Sequence, residues 1–282
     1  MILNSELRRR ARDVLKPALP IALLVSLCAE LPGLLSQVAA AQTEGPMREV
    51  LARYVLADAG AVNIEGLLAE LRGAISPAMI AAWGVALLAF LLTPCLNLGR
   101  LRYTLRLLRG ESGEVADVLS LRGLFLKAIG LTLWILLKEL LWMLPGLALS
   151  MAGVAILLIH PSEATLNVMD TMYFAGFVLM IALMIRAALH YIMADMIMAD
   201  EPDTGIRAAV RRSIDMMRQR KAMLVMLMLS FLGWMLLASL IQSMLSGMLM
   251  VLGMTIGMAC QLLISVYMQT SIAAFYEEYK NS

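Results

Sequence analysis

The chain has 282 residues, of which 61% are hydrophobic and 16% charged, and its net charge is +2. Soluble domains carry about a quarter charged residues, so this composition excludes an ordinary water-soluble globule. The apolar residues fall into blocks of roughly twenty, long enough to cross a ~30 Å hydrocarbon core as helices. They are continuous runs of Leu, Ile, Met and Ala, without the alternation of barrel strands.

Six spans are predicted, at about 18–41, 75–98, 124–145, 169–194, 222–245 and 249–275. A basic arm at 1–17 precedes the first, with Leu7, Ala11, Val14 and Leu15 forming a helical stripe. The arm, the apolar run and Ala39-Ala40-Ala41 together resemble a cleavable signal peptide. The length of both parts, and the interruption by Glu30, favour a retained span. Residues 42–74 are an external connection with amphipathic stretches. After Pro145-Gly146, the apolar stretch 146–160 either extends the third span or re-enters the membrane, because proline breaks the hydrogen-bond ladder. The segment 200–221 is a cytosolic amphipathic helix. Ile206, Val210, Ile214 and Met217 form one stripe, and Arg207, Arg211, Arg212 and Arg218 lie away from it. Asp203 or Thr204 is the expected N-cap. Three readings stay open for both stripes: burial in an anionic headgroup layer, packing beneath the bundle as connectors, or binding of a partner.

Orientation follows from the cations. Eighteen of the 23 Lys and Arg lie in the N-terminal arm, the second and fourth connections and the tail. Such residues stay on the cytosolic side during insertion, so both termini are expected in the cytosol. The expected fold is therefore a single all-α domain over 1–282, a polytopic transmembrane helix bundle with amphipathic cytosolic surface helices. The expected partners are a bilayer with anionic headgroups and a membrane protein or second copy of the chain. Nucleic acid is not expected, because the cations flank spans as orientation signals.

Several stretches carry a resemblance. Asn4-Ser5-Glu6-Leu7-Arg8 opens it, followed by Arg109-Gly110-Glu111, Leu133-Trp134 and Leu144-Pro145-Gly146. The C-terminal half adds Tyr191-Ile192-Met193-Ala194-Asp195, Ala199-Asp200-Glu201-Pro202, Leu229 to Trp234, Tyr267-Met268-Gln269-Thr270 and Ala274-Phe275-Tyr276-Glu277. In order and spacing these resemble a bacterial integral-membrane family known as domain of unknown function nine-seven-five. Between Gly146 and Arg186 the chain carries extra residues where that pattern has a short passage. The resemblance implies a topology, and a bacterial cytoplasmic membrane as the location, but no chemistry.

Ionisable residues within spans are the candidate polar site: Glu30, Lys138, Glu139, Arg186 and His190. Equal depths, ~18 Å and ~21 Å at 1.5 Å per residue, suggest a Glu30–Lys138 ion pair. Glu139 lies ~100° around the helix from Lys138 and must face elsewhere. Arg186 can snorkel to the interface. A proton relay through Glu30, Glu139 and His190 is the sharper alternative. The candidate cytosolic interface is Arg207, Arg211, Arg212 and Arg218. Asp195, Asp200, Glu201 and Asp203 fit no cation-loop template, and capping of the basic helix is the expected role. Met250, Met254 and Met258 recur on one face beside Gly253-x-x-x-Gly257, which reads as close helix packing ahead of Cu(I) ligation. The three cysteines form no C-x-x-C pair, and no soluble-enzyme motif is present. The expected function is a non-enzymatic scaffold, assembly factor or partner subunit, with no cofactor and no metal. The alternative is a transporter or channel using the intramembrane charges.

Overall fold

The computed structural model describes residues 4–55, 64–111, 123–160, 162–248 and 250–280. Every regular element among them is a helix: α1 (Asn4–Val55), α2 (Ile64–Ala74), α3 (Pro77–Leu108), α4 (Phe125–Ile159), α5 (Glu163–Tyr191), α6 (Ala194–Asp200), α7 (Ile206–Met217), α8 (Lys221–Met248) and α9 (Met250–Tyr279). Six stretches are long and apolar enough to cross a membrane, beginning at Asn4, Pro77, Phe125, Glu163, Lys221 and Thr255. These are the six expected spans. No more than 39% of the most apolar window of any of them is buried within the chain. The rest needs a hydrocarbon solvent, so the chain is a multi-pass integral membrane protein.

The helices overrun the predicted boundaries. α1 absorbs the basic arm from Asn4 onward and continues into the expected external connection, whose later part holds α2; residues 56–63 lie outside the described residues. Ser76 starts α3, its hydroxyl accepting from the Met79 amide at 3.2 Å, with Pro77 in the first turn. α3 then runs on through Arg100, Arg102 and Arg106. It stops where Gly110 takes φ +78°, and the Gly110 and Glu111 amides close on the Leu107 and Arg106 carbonyls at 3.1 and 3.0 Å. A left-handed residue is cheap only for glycine. α4 is a single helix through Pro145, so the stretch after Gly146 extends the third span to Ile159 and does not re-enter.

α1 packs along α3 and α9, and α9 along α8, while α4 pairs with α5. The α4–α5 crossing is a close backbone approach. A Cβ on Gly176 would fall 2.3 Å from Ser150 Oγ and 2.6 Å from the Gly146 carbonyl oxygen. The Ser150 hydroxyl donates to that same carbonyl at 3.1 Å. Small residues with an internally satisfied hydroxyl are how apolar helices come together where no hydrophobic force acts between them.

The main core gathers at the arginine-rich end. It holds Leu7 of α1, Leu98, Leu101 and Leu105 of α3, Leu131 of α4 and Phe275 of α9. At its centre lies α6, with Ala194, Met196, Ile197, Met198 and Ala199 all buried. Successive residues of a helix point ~100° apart, so burial of Met196, Ile197 and Met198 together encloses most of its circumference, and Ile197 and Met198 each contribute roughly 2 kcal/mol. The α7 stripe faces this core, with Val210 and Met217 buried and Ile206 and Ile214 packed against it. Leu7, Ala11 and Leu15 of the arm are likewise buried. Both stripes therefore pack beneath the bundle, as the connector reading expects. The N-cap of α7 is Gly205, not Asp203 or Thr204, and it makes no side-chain bond. Thr204 instead donates its hydroxyl to Glu201 at 3.1 Å.

Candidate functional site

Glu30 of α1 pairs with Arg100 of α3 at 3.2 Å, and Arg100 also donates to the Asn97 side chain at 2.7 Å. The Arg100 side chain is only 11% exposed, so its charge depends on that partner. The expected Glu30–Lys138 pair is thus replaced. Depth along each helix was readable, but adjacency was not: α1 lies on α3, whereas Lys138 belongs to the α4–α5 pair. Lys138 and Arg207 each sit 5.3 Å from the Trp134 ring centroid, where the ring face attracts cations. Glu139 is half-buried on α4 and has no ion-pair partner among the described residues.

Arg186 and His190 of α5 come together with Trp142 of α4 and Lys221 of α8. The imidazole stacks on Trp142 with centroids 6.4 Å apart, and Arg186 lies 5.8 Å from the same ring. His190 Nδ1 lies 2.6 Å from the Arg186 carbonyl oxygen, which can only accept. Nδ1 therefore carries the proton and Nε2 accepts from Lys221 at 2.6 Å. The Trp142 indole donates to the Tyr191 hydroxyl at 3.2 Å. Glu30 and Glu139 are absent from this group, so the described residues bring together no Glu30–Glu139–His190 relay.

Glu30 also borders a cleft of about 770 Å³ between α1, α8 and α9, shared with Gln37, Ser239, Gln242 and Gln261. Gln261 donates to Gln242 across it at 3.0 Å. Nearby, a Cβ on Gly257 would fall 2.5 Å from Gln242, which supports the close-packing role of that glycine. The side chains of Met250 and Met254 lie outside the described residues, and Met258 is 48% exposed.

At the arginine-rich end, residues far apart in sequence form one network. Arg109 binds Asp200 of α6 and Glu277 of α9, each at 2.5 Å. Lys280 adds bonds to the same two carboxylates at 3.4 and 3.1 Å, and Tyr276 donates to Asp200 at 3.2 Å. Burial alone would lower the pKa of the Arg109 guanidinium, but its hydrogen bonds to Glu277 and Asp200 outweigh this and hold it above the usual arginine value. Asp200, Glu201 and Arg212 line a cavity of about 740 Å³ beside the network. Hydrogen bonds from Arg212 and Thr204 hold the Glu201 carboxyl below its usual pKa. Of the four acids expected to cap α7, Asp200 thus goes to Arg109 and Glu201 to Arg212, while Asp195 and Asp203 join neither arginine. No group of three His, Cys, Asp or Glu among the described residues is placed to hold a metal ion. Arg211 and Arg218 remain exposed on the outer face of α7.

Arg109, Tyr276 and Glu277 were not singled out as site residues, and Asp200 was expected only to cap the basic helix, yet each lies in a motif that carries the resemblance. The model of the family described as a protein of unknown function, DUF975, matches residues 1–282. The chain belongs to this family. No curated protein and no solved structure matches it.

Proposed function

We propose that this DUF975 chain is a non-enzymatic scaffold, assembly factor or partner subunit of the bacterial cytoplasmic membrane, with both termini and the arginine-rich end in the cytosol. One observation carries the reading: the intramembrane charges are divided among separate helices, Glu30 with Arg100, Lys138 with Trp134 and Arg186 with Trp142. A solute path needs its polar groups to converge. The wide lipid-facing surfaces of α4, α5 and α8 supply room for a partner helix, and the exposed Arg211 and Arg218 suit an acidic cytosolic partner. Gentle detergent extraction followed by native mass spectrometry tests the proposal. A stoichiometric protein partner or a defined homo-oligomer is expected; an isolated monomer at every detergent concentration would contradict it.

The transporter reading keeps one supporting observation, the polar cleft at Glu30. It predicts solute flux in proteoliposomes that Glu30→Gln abolishes. Flux unaffected by that substitution would remove the cleft from consideration.

A further inference from the structure

A second cavity, of about 640 Å³, opens between the start of α1 and the helices α8 and α9. Its volume lies in the range of small-molecule pockets, and its lining is divided by polarity. Arg8, Arg9 and Arg12 form one side, while Trp234, Leu263 and Ile264 form much of the other. No carboxylate among the described residues lines it. The acids of the same arm, Glu6 and Asp13, line a neighbouring cavity with Arg10 and Glu278, and Arg9 borders both. The Nε of Arg8 is buried without a hydrogen-bond partner. Among the described residues, Arg12 has only a 4.0 Å contact with its exposed neighbour Asp13. The pocket is held in shape from behind: the Tyr267 hydroxyl donates to the Arg8 carbonyl at 3.1 Å, and Phe231 meets the Tyr267 ring edge-on at 5.1 Å.

We propose that this cavity binds one anionic glycerophospholipid, its phosphate held by Arg8 and Arg12 and its proximal acyl chain lying on Trp234, Leu263 and Ile264. Guanidinium groups match phosphate oxygens in paired hydrogen bonds, and Arg8 and Arg12 border the same cavity. An anion without an acyl chain would leave the apolar wall bare, and an apolar molecule without a phosphate would leave Arg8 and Arg12 without a counter-charge in the cavity. Both halves of the lining are used only by an amphiphile of negative charge. This assignment is independent of whether the chain acts as a scaffold or a transporter.

The full chain, reconstituted in phosphatidylcholine nanodiscs with phosphatidylglycerol as minor lipid, is released into native mass spectrometry and its retained lipids are identified. Retention of one phosphatidylglycerol in preference to phosphatidylcholine is expected. Each cation removed, by Arg8→Gln or Arg12→Gln, lowers that retention about five-fold. Arg8→Lys with Arg12→Lys keeps most of it. Trp234→Ala lowers it with no change in charge, and Arg211→Gln, an equal change of charge elsewhere, leaves it alone. Equal losses in Arg211→Gln and Arg12→Gln would reduce the effect to general surface attraction and overturn the site. Displacement of the lipid by inorganic phosphate alone would assign the pocket to a soluble anion and overturn it as well. Should the Arg8 variant not accumulate, the Arg12 and Trp234 variants decide the matter.

Discussion

Arg109 has the most consequential side chain at the arginine-rich end, because it joins α3 to both α6 and α9 through Asp200 and Glu277. The two carboxylates are only 11% and 12% exposed. Removing one partner leaves a charge with little water to receive it, and Asp200→Asn or Arg109→Gln should cost about 2–3 kcal/mol. A drop of several degrees in the unfolding midpoint of the purified protein would register this. Glu201 is the contrasting case. Its bond to Arg212 is short, at 2.6 Å, but both side chains are more than half exposed, so Glu201→Gln should shift stability by no more than ~0.5 kcal/mol. The sign of its pH dependence is fixed. A carboxyl with a folded-state pKa below its unfolded value stabilises above the unfolded value and loses that contribution as pH falls through the folded one. A midpoint change as large as that of Asp200→Asn would contradict the ranking. Within the span, Glu30→Gln should lower folded yield, as should Arg100→Gln, whereas Lys138→Gln should change it little. Matching losses from the Glu30 and Lys138 variants would restore the pairing that the structure replaces.

Helix packing makes predictions of opposite sign at two glycines. Gly176→Ala places a Cβ against Ser150 Oγ and the Gly146 carbonyl, neither of which can retreat without separating α4 from α5. It should destabilise by about 1–3 kcal/mol. Gly84 of α3 has nothing within 4 Å of its would-be Cβ, and Gly84→Ala should stabilise by about 0.5–1 kcal/mol through helix propensity. Thermal melts of the two variants in one detergent would check both signs. The elements themselves were largely legible in the sequence, because twenty-residue apolar runs admit little besides a membrane helix. Their ends were not. The helices run on through charged residues such as Arg100 and Arg106, and α3 stops only at Gly110, the one position among the described residues where the backbone turns left-handed. The partner of Glu30 was not legible either, since distance along a helix says nothing about which helix lies beside it. The Arg109 network was half legible: its motifs were visible as a resemblance, but only the fold shows that they touch.

At the scale of the molecule, the core is concentrated at one end, while the spans expose leucine, phenylalanine and methionine along their length. Leu87, Leu140, Phe174 and Leu236 are each 56–69% exposed, a surface stable only in hydrocarbon. The arginine-rich end joins these spans through α6 and α7, and cations of this kind are generally retained on the cytosolic side during insertion. Membrane threading with this end in the cytosol is the claim on which the scaffold proposal, the lipid site and the choice of partner all depend. It can be measured directly on intact cells. Cys28, Cys95 and Cys260 are first replaced by Ala, and a single cysteine is then introduced as Asp203→Cys before α7 or as Glu163→Cys at the start of α5. A membrane-impermeant maleimide should label the cysteine at 163 and leave that at 203 unlabelled until the cells are opened. Labelling at 203 from outside intact cells, with 163 protected, would contradict the account.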